Sequence, residues 1–225
     1  MLFRDDRLVV VSKLPGVLVH RGMGASRDET FLLQAVRDLV GCRVHAIHRL
    51  DRPTAGAVLF ALDPVTARTL TDSWQRGEVR KSYLAIARGW MPEPEGLREE
   101  ALDDPDNGVL REASTRWKEI GRTTVPGPMG PHEEARFCLL EVEPLTGRWH
   151  QIRRHFTRMA HPLAGDTTHG DRHTNHFLRD RYGWWQLLLW ARTLDFPHPS
   201  GDGRMIKVHD RDENGILGQW KRLTG

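Results

Sequence analysis

The chain has 225 residues, of which 39% are hydrophobic and 28% charged, and its formal net charge is +3. This composition is typical of a globular protein with a sizeable core, and two cysteines are too few for a disulfide framework or a four-thiolate zinc site. Charged residues follow Met1 where a secretory signal would be apolar, and no run of eighteen apolar residues occurs. We therefore expect a cytoplasmic protein that does not enter a membrane.

Two short β-branched runs near the N-terminus predict a pair of strands. They occupy residues 8–11 and 17–19, and Pro15-Gly16 between them is typical of a turn. From Glu29 onwards apolar residues recur at helical spacing, and Gly41 stands where a helix commonly ends in a left-handed conformation. These patterns predict a strand pair followed by a helix.

The stretch His48-Arg49-Leu50-Asp51-Arg52-Pro53 places one carboxylate between two guanidinium groups. Fixed cations beside a carboxylate favour its ionised form, which suits a nucleophile better than an acid. The apolar run at residues 57–62 is typical of a buried strand, so Asp51 should lie on the loop that leads into it. Taken alone, the stretch also fits a surface carboxylate in local ion pairs.

Further along, Asp63-Pro64 supplies a helix cap followed by proline at the first helical position, which predicts a helix to about Arg76. Residues 81–87 alternate as a strand does, with Tyr83 on one face, where it could simply pack in a core. Residues 92–112 and 121–134 are rich in proline, glycine and acids and predict a loop-rich insertion at about 92–134. Residues 136–142 return to a strand pattern, so the fold class should be α+β.

The charges are segregated along the chain. Residues 93–112 hold eight acids against two arginines, whereas residues 147–172 hold five arginines and four histidines against two acids. We expect the acidic segment to turn away from a basic face that meets a polyanion such as a nucleic acid. A solvated charged helix face would account for the same pattern.

Residues 148–155 predict an amphipathic helix, with Ile152, Phe156 and Met159 on one stripe and arginines around it. Its N-terminus could bind an anion, although solvated arginines would explain the pattern equally well. The histidines at 169, 173 and 176 have a spacing that could ligate a metal, but no thiolate accompanies them, and we expect no metal site. The run 187–189 predicts a buried strand.

Together these stretches resemble the RluA-type family of RNA pseudouridine synthases. The resemblance covers the whole chain and is carried, in the family's order, by residues 11–20, 48–54, 81–83 and 145–155. Arg154 after Arg153 and the run 161–172 are most similar to the branch that modifies uridine 65 of tRNA. Trp149 and Trp190 depart from the family pattern and leave ribosomal RNA as a second possible substrate.

The resemblance implies one catalytic domain over residues 1–225, with no separate N-terminal RNA-binding domain. It implies an α+β core with a mixed, mainly antiparallel sheet, flanking helices and a basic RNA-binding cleft. The expected reaction isomerises uridine to pseudouridine in structured RNA, without a cofactor and in a monomer. A non-catalytic basic RNA-binding protein and an enzyme that hydrolyses a nucleoside bond are the two competing hypotheses.

The resemblance also assigns roles to individual residues. Asp51 would be the nucleophile, Tyr83 would stack on the target base and help remove the proton from C5, and Arg153 would pair with Asp51 and keep it anionic. Arg49 would fill the gap left by the flipped nucleotide. The remaining expected RNA contacts are His48, Arg52, Arg148, His150 and Arg154.

Overall fold

The computed structural model describes residues 1–21, 29–211 and 215–225. Its strands are β1 (Phe3–Arg4), β2 (Leu8–Lys13), β3 (His45–Ala46), β4 (Ala55–Ala61), β5 (Arg80–Arg88), β6 (Glu95–Glu99), β7 (Leu102–Asp103), β8 (Leu110–Arg111), β9 (Ser114–Met129), β10 (His132–Pro144), β11 (Leu189–Pro197) and β12 (Met205–His209). Its helices are α1 (Leu32–Val40), α2 (Pro64–Gln75), α3 (Gln151–Arg158), α4 (Arg172–Tyr182) and α5 (Ile216–Thr224).

The chain divides into two compact units. One consists of Met1–Lys81 and Ala191–Arg211, and the other of Ser82–Trp190 and Asp212–Gly225. Strands and helices occur in both, and the registered strand pairs are antiparallel. The predicted α+β class with a mainly antiparallel sheet is confirmed, whereas the single catalytic domain over residues 1–225 stays a prediction.

In the first unit the strands follow the order β1-β2-β4-β11, with β3 beside β4 and β12 beside β11. Every residue of β4 is buried, as expected for a continuous apolar run in the middle of a sheet. The strand predicted at residues 17–19 is wrong. The carbonyls of Leu18 and Val19 accept hydrogen bonds from the N–H groups of Leu32 and Leu33, so this segment caps the start of α1.

The two helices of this unit begin and end at the residues that the sequence marks. Gly41 has φ 77° and donates its N–H to the carbonyl of Arg37, closing α1. Asp63 accepts hydrogen bonds from the N–H groups of Val65 and Thr66 at the start of α2, and Pro64 is the first helical residue. Both predictions are confirmed.

In the second unit the strands follow the order β5-β10-β9-β6, all antiparallel to their neighbours, and β7 pairs with β8. The loop-rich insertion predicted at about 92–134 is wrong in its secondary structure, because β6 to β9 and the start of β10 occupy most of it. The prediction of a loop rested partly on Pro126 and Pro128. Both prolines lie outside the part of β9 that pairs with β6. On that edge of β9 there is no hydrogen bond between strands for the missing N–H group of proline to remove.

The predicted helix at residues 148–155 is confirmed as α3, which packs Ile152 and Phe156 into an apolar cluster with residues of β5 and β10. The predicted strand at 187–189 is mostly wrong, since β11 begins only at Leu189. The carbonyl of Leu188 nevertheless accepts a hydrogen bond from the N–H of Ile86, so the apolar run is buried beside β5.

Candidate active site

Asp51 lies on the loop before β4, in the first unit, and is partly buried. Its carbonyl accepts a hydrogen bond from the N–H of Thr54 at 3.1 Å, which closes a tight turn over Pro53. Gly56 fixes where this turn enters the sheet: its φ is +115°, and a Cβ there would lie 2.3 Å from the carbonyl oxygen of Ala191. The part of the loop from Asp51 to the start of β4 is therefore fixed, as the predicted nucleophile requires.

Lys13 is a buried cation beside this loop that the sequence pattern did not single out. It is fully buried, and its Nζ donates to the carbonyls of Leu14 at 3.1 Å, Val17 at 2.8 Å and Arg52 at 3.1 Å. Burial lowers the pKa of Lys13 to about 8, while the negative charge of Asp51 acts in the opposite direction. Lys13 thus ties the segment after β2 to the Asp51 loop.

A signal for Lys13 exists in the sequence. Alternate residues of a strand share a face, so Lys13 falls on the same face of β2 as Val9 and Val11, which are buried. A lysine on a core face needs oxygen partners for its ammonium group, and the backbone of the two adjoining loops supplies them.

The arginines beside Asp51 differ in their surroundings. Arg49 is exposed, whereas Arg52 donates from Nε to the carbonyl of Gly16 at 3.1 Å and pairs with Glu29 at 2.9 Å. Arg52 thus helps to hold the loop, with 52% of its side chain still exposed. The predicted RNA contacts of both arginines stay predictions.

His48 does not present a charge to solvent. Its ring stacks on Trp74 with centroids 4.5 Å apart, and its Nε2 accepts the N–H of Leu59 at 3.1 Å. Burial, with a contribution from the positive charge of Lys81, lowers the pKa of His48 to about 3, so the ring is neutral near pH 7. The ring supports the strand that follows the loop, and the predicted RNA contact of His48 stays a prediction.

This shift predicts how stability depends on pH. The ordinary pKa of histidine is 6.5, so between pH 6.5 and pH 3 the unfolded chain binds more protons at His48 than the folded chain. The free energy of unfolding should therefore fall by about 1.5 kcal/mol from pH 6.5 to pH 5 through this residue. Urea unfolding of the wild type and of His48→Gln at both pH values measures the difference, and equal pH dependence in the two proteins would contradict the assignment.

In the second unit, Tyr83 lies on β5, opposite Val142 of β10. Its ring is partly buried and packs against the apolar cluster that contains Ile152 and Phe156. A ring fixed on a central strand is suited to hold a flat ligand in one orientation. Its roles in stacking and proton removal stay predictions.

Arg153 of α3 forms a buried ion pair with Asp166. Nε and Nη2 donate to the two carboxylate oxygens at 2.7 and 2.8 Å, and both side chains are at most 2% exposed. Burial acts to raise the pKa of Asp166, but the hydrogen bonds from Arg153 and from the N–H groups of His169 and Thr168 outweigh it and lower the pKa.

Asp166 is the second residue that the sequence pattern did not single out. Its signal was an acid one residue after the apolar pair Leu163-Ala164, without a neighbouring cation in the chain. The predicted pairing of Arg153 with Asp51 stays a prediction, and the partner described for Arg153 is Asp166.

The acidic segment lies against the basic helix. Arg154 donates to the carbonyl of Asp103 at 2.8 Å and pairs with its carboxylate, while Arg158 pairs with Glu100 at 2.8 Å. The expectation that the acidic residues turn away from this face is wrong, because helix and acidic segment neutralise each other within one unit. Arg154 is nearly buried in this internal ion pair, and its predicted RNA contact stays a prediction.

His150 precedes α3 with φ 50°, an uncommon conformation for a residue other than glycine. Its Nδ1 lies 2.8 Å from Nε2 of His169, and the ring of Trp149 stacks on it at 3.7 Å. Arg148 donates from Nε to the carbonyl of Glu112 at 2.8 Å. The predicted RNA contacts of Arg148 and His150 stay predictions.

Neither a cluster of metal ligands nor a membrane-spanning helix is present among the residues that the structure describes. Among the residues that the structure describes, no three or more histidine, cysteine or acidic side chains gather as ligands for a metal ion. None of the helices within residues 1–21, 29–211 and 215–225 combines the length and apolar character of a membrane span.

A family profile described as RNA pseudouridylate synthase matches residues 7–158. A protein named tRNA pseudouridine synthase C from Vibrio parahaemolyticus is 34% identical over 99% of this chain and 92% of its own length. Proteins of the same name from Vibrio cholerae and Haemophilus influenzae are 36% and 34% identical, covering 98% and 99% of this chain and 95% of each relative.

Two solved human structures share the fold. RNA Pseudouridylate Synthase Domain Containing 1 has a TM-score of 0.75 at 23% identity, covering 94% of this chain and 82% of that one. RNA Pseudouridylate Synthase Domain Containing 4 has the same TM-score and identity, covering 99% and 92%. At this level of identity the likeness concerns the fold.

Proposed function

The chain belongs to the RNA pseudouridylate synthase family and is an RNA pseudouridine synthase, and we propose that its substrate is a uridine of tRNA, at position 65. The proposal that tRNA is the substrate rests on the similarity, over almost the whole chain, to relatives named tRNA pseudouridine synthase C. The run from His161 to Arg172, with Asp166 buried in its middle, supports position 65 through the resemblance of that run to the corresponding branch.

Asp51 is the proposed nucleophile. Its carboxylate assists cleavage of the bond between N1 of uracil and C1′ of ribose, in the way that a carboxylate stabilises a glycosyl intermediate. The base then turns, C5 bonds to C1′, and the proton on C5 is lost while N1 gains one. The reaction is an isomerisation, so its atoms and electrons balance without a redox cofactor. Support comes from the rigid loop and from the buried charge of Lys13 near Asp51.

Tyr83 and Arg153 complete the proposed catalytic set. Tyr83 stacks on the detached uracil and takes part in removing the C5 proton, and Arg153 keeps Asp51 anionic. The fixed position of Tyr83 on β5 supports the first role. The bidentate contact with Asp166 supports the second, because it fixes the orientation of the guanidinium group.

The target uridine must leave the helical stack to reach these groups. Flipping costs a few kcal/mol, and the exposed Arg49 fills the gap in the RNA and offsets part of this cost. Arg52, Arg148 and His150 contact the RNA around the flipped nucleotide. We further propose that one copy of the chain suffices, and that it works in the cytoplasm, which its two isolated cysteines support.

Tyr83→Phe separates the two roles of the tyrosine. The variant keeps the aromatic ring and loses the hydroxyl, so we expect tRNA binding to be retained and turnover to fall about 10²-fold or more. Release of tritium from C5 of labelled tRNA measures the proton step, and filter binding measures affinity. A normal rate of tritium release would remove the hydroxyl from the mechanism. Tyr182→Phe is the matched control and should release tritium at the wild-type rate.

Mapping pseudouridine in total RNA tests the substrate. Cells that lack the gene should lose the modification at position 65 of tRNA and regain it with the wild-type gene but not with Asp51→Asn. Loss confined to ribosomal RNA would overturn the tRNA proposal. Detection of free uracil in place of pseudouridine would instead indicate hydrolysis.

A further inference from the structure

Trp149 is an exposed aromatic side chain in the segment that leads into α3. It keeps 41% of its surface exposed, although its neighbours Ile152 and Phe156 are buried. Trp149 thus presents part of its indole to solvent beside residues of the proposed site.

The ring is held in place from behind. It stacks on His150 at 3.7 Å with an interplanar angle of 16°, and it meets the edge of His169 at 5.7 Å. The 2.8 Å contact between the two histidines fixes His150 in its positive-φ conformation, and the guanidinium carbon of Arg154 lies 5.7 Å from the centre of the indole. An exposed ring supported in this way loses little further entropy when a ligand stacks on it.

A cavity of about 340 Å³ lies against Trp149, within the second unit. This volume lies in the range of small-ligand pockets, about 300–1,000 Å³. The cavity is lined by Leu102, Asp103, Asp104, Pro105, Arg111, Gly147, Arg148 and Trp149.

The charges of the lining are nearly balanced. Arg111 pairs with Asp104 at 3.2 Å, and Arg148 is anchored to the carbonyl of Glu112, while 52% of the Asp103 side chain is exposed. Two carboxylates disfavour a simple anion. A nucleobase suits the lining better, because its flat face fits an indole and its edge carries both donors and acceptors, while the arginines can receive the attached phosphate.

We propose that Trp149 is the stacking platform of a subsite for one unpaired nucleobase of the RNA substrate, separate from the uridine that reacts. Arg148 and Arg111 contact the phosphate of that nucleotide, and the carboxylates of Asp103 and Asp104 face the edge of its base. The subsite deepens the proposed function on which it rests, since it assigns Trp149 a part in choosing which RNA the enzyme modifies.

The test uses the full chain in the Asp51→Asn background, so that binding is measured without turnover. The probe is a single-stranded RNA octanucleotide with one 2-aminopurine, whose fluorescence is quenched when it stacks on an indole. We expect quenching with Trp149 present and its loss in Trp149→Ala, with Kd about tenfold higher. Trp149→Phe, which keeps an aromatic face, should raise Kd by less than about threefold.

Two further variants make the result specific. Trp185→Ala removes another exposed tryptophan, one outside the cavity lining, and should leave Kd and quenching unchanged. Pro105→Trp fills the cavity while Trp149 is retained, and should weaken binding as much as Trp149→Ala does.

Unchanged binding by Trp149→Ala, or an equal loss in Trp185→Ala, would overturn the subsite. Pseudouridine formation is assayed separately in proteins that retain Asp51. An inactive enzyme whose octanucleotide binding still depends on Trp149 would refute the proposed function while supporting the subsite.

Discussion

Replacing Asp51 with asparagine should abolish pseudouridine formation, lowering the rate roughly 10⁴-fold or more, while tRNA affinity stays within about threefold. Asparagine has nearly the shape of aspartate but no negative charge, and the charge is what cleavage of the glycosidic bond requires. Affinity depends mostly on contacts with phosphates, which the substitution does not remove. The rate is measured as tritium released from C5 of labelled tRNA under single-turnover conditions.

Asp38→Asn is the matched control for this substitution. Asp38 is exposed in the same unit and pairs with its neighbour Arg37, so its variant should react at the wild-type rate. Measurable pseudouridine from pure Asp51→Asn protein would refute the assignment of the nucleophile. Failure of the variant to bind tRNA would instead show that the loop had lost its structure.

Asp166→Ala should destabilise the protein by about 3–5 kcal/mol, because the substitution leaves the buried guanidinium of Arg153 without its bidentate partner. Urea unfolding at pH 7 measures this loss. Since the pKa of Asp166 is lowered in the folded protein, its stabilising contribution is present above the ordinary value of 3.8 and is lost as the pH falls below it.

Asp180→Ala provides the comparison for an exposed pair. Asp180 pairs with Arg179 at 2.7 Å but keeps 65% of its side chain exposed, so its removal should leave the free energy of unfolding close to that of the wild type. Combining Asp166→Leu with Arg153→Met should recover part of the lost stability, because neither charge of this pair then remains buried. Equal stability of Asp166→Ala and the wild type would show that the pair contributes nothing.

The sequence predicted those helices and strands that are determined by residues close together in the chain. The cap at Asp63 and the proline after it define α2, the positive φ of Gly41 ends α1, and the uninterrupted apolar run predicts β4. In each case the residues that decide the structure lie within a few positions of one another.

The elements that the sequence did not predict depend on distant partners. Strands β9 and β10 form a long hairpin whose turn region carries prolines and charges, and only the pairing between them reveals β9 and the first residues of β10 as strand. The carbonyl of Arg52 is 39 residues from Lys13, and Asp103 is 51 residues from Arg154. Charge patterns along the chain do not disclose such pairs, which is why the contact between Arg154 and Asp103 was not predicted.

The roles of Asp51, Tyr83 and Arg153 came from the family resemblance. Sequence pattern alone did not distinguish a nucleophilic Asp51 from an ion-paired surface acid, or a functional Tyr83 from a core residue. The structure adds what stabilises the surroundings of each residue: Lys13 beside the loop, the apolar cluster beneath the tyrosine, and Asp166 behind the arginine.

The carboxylates that already hold Arg154 and Arg158 also bear on the ionic strength at which the enzyme can work. Each phosphate that a protein cation neutralises displaces counterions from the RNA, and this steepens the fall of affinity with added salt. Arginines that are already paired with carboxylates of the protein displace few counterions. The affinity for RNA should therefore fall less steeply with added salt than the number of arginines in α3 would predict. Such an enzyme should retain its substrate over a wider range of salt concentrations.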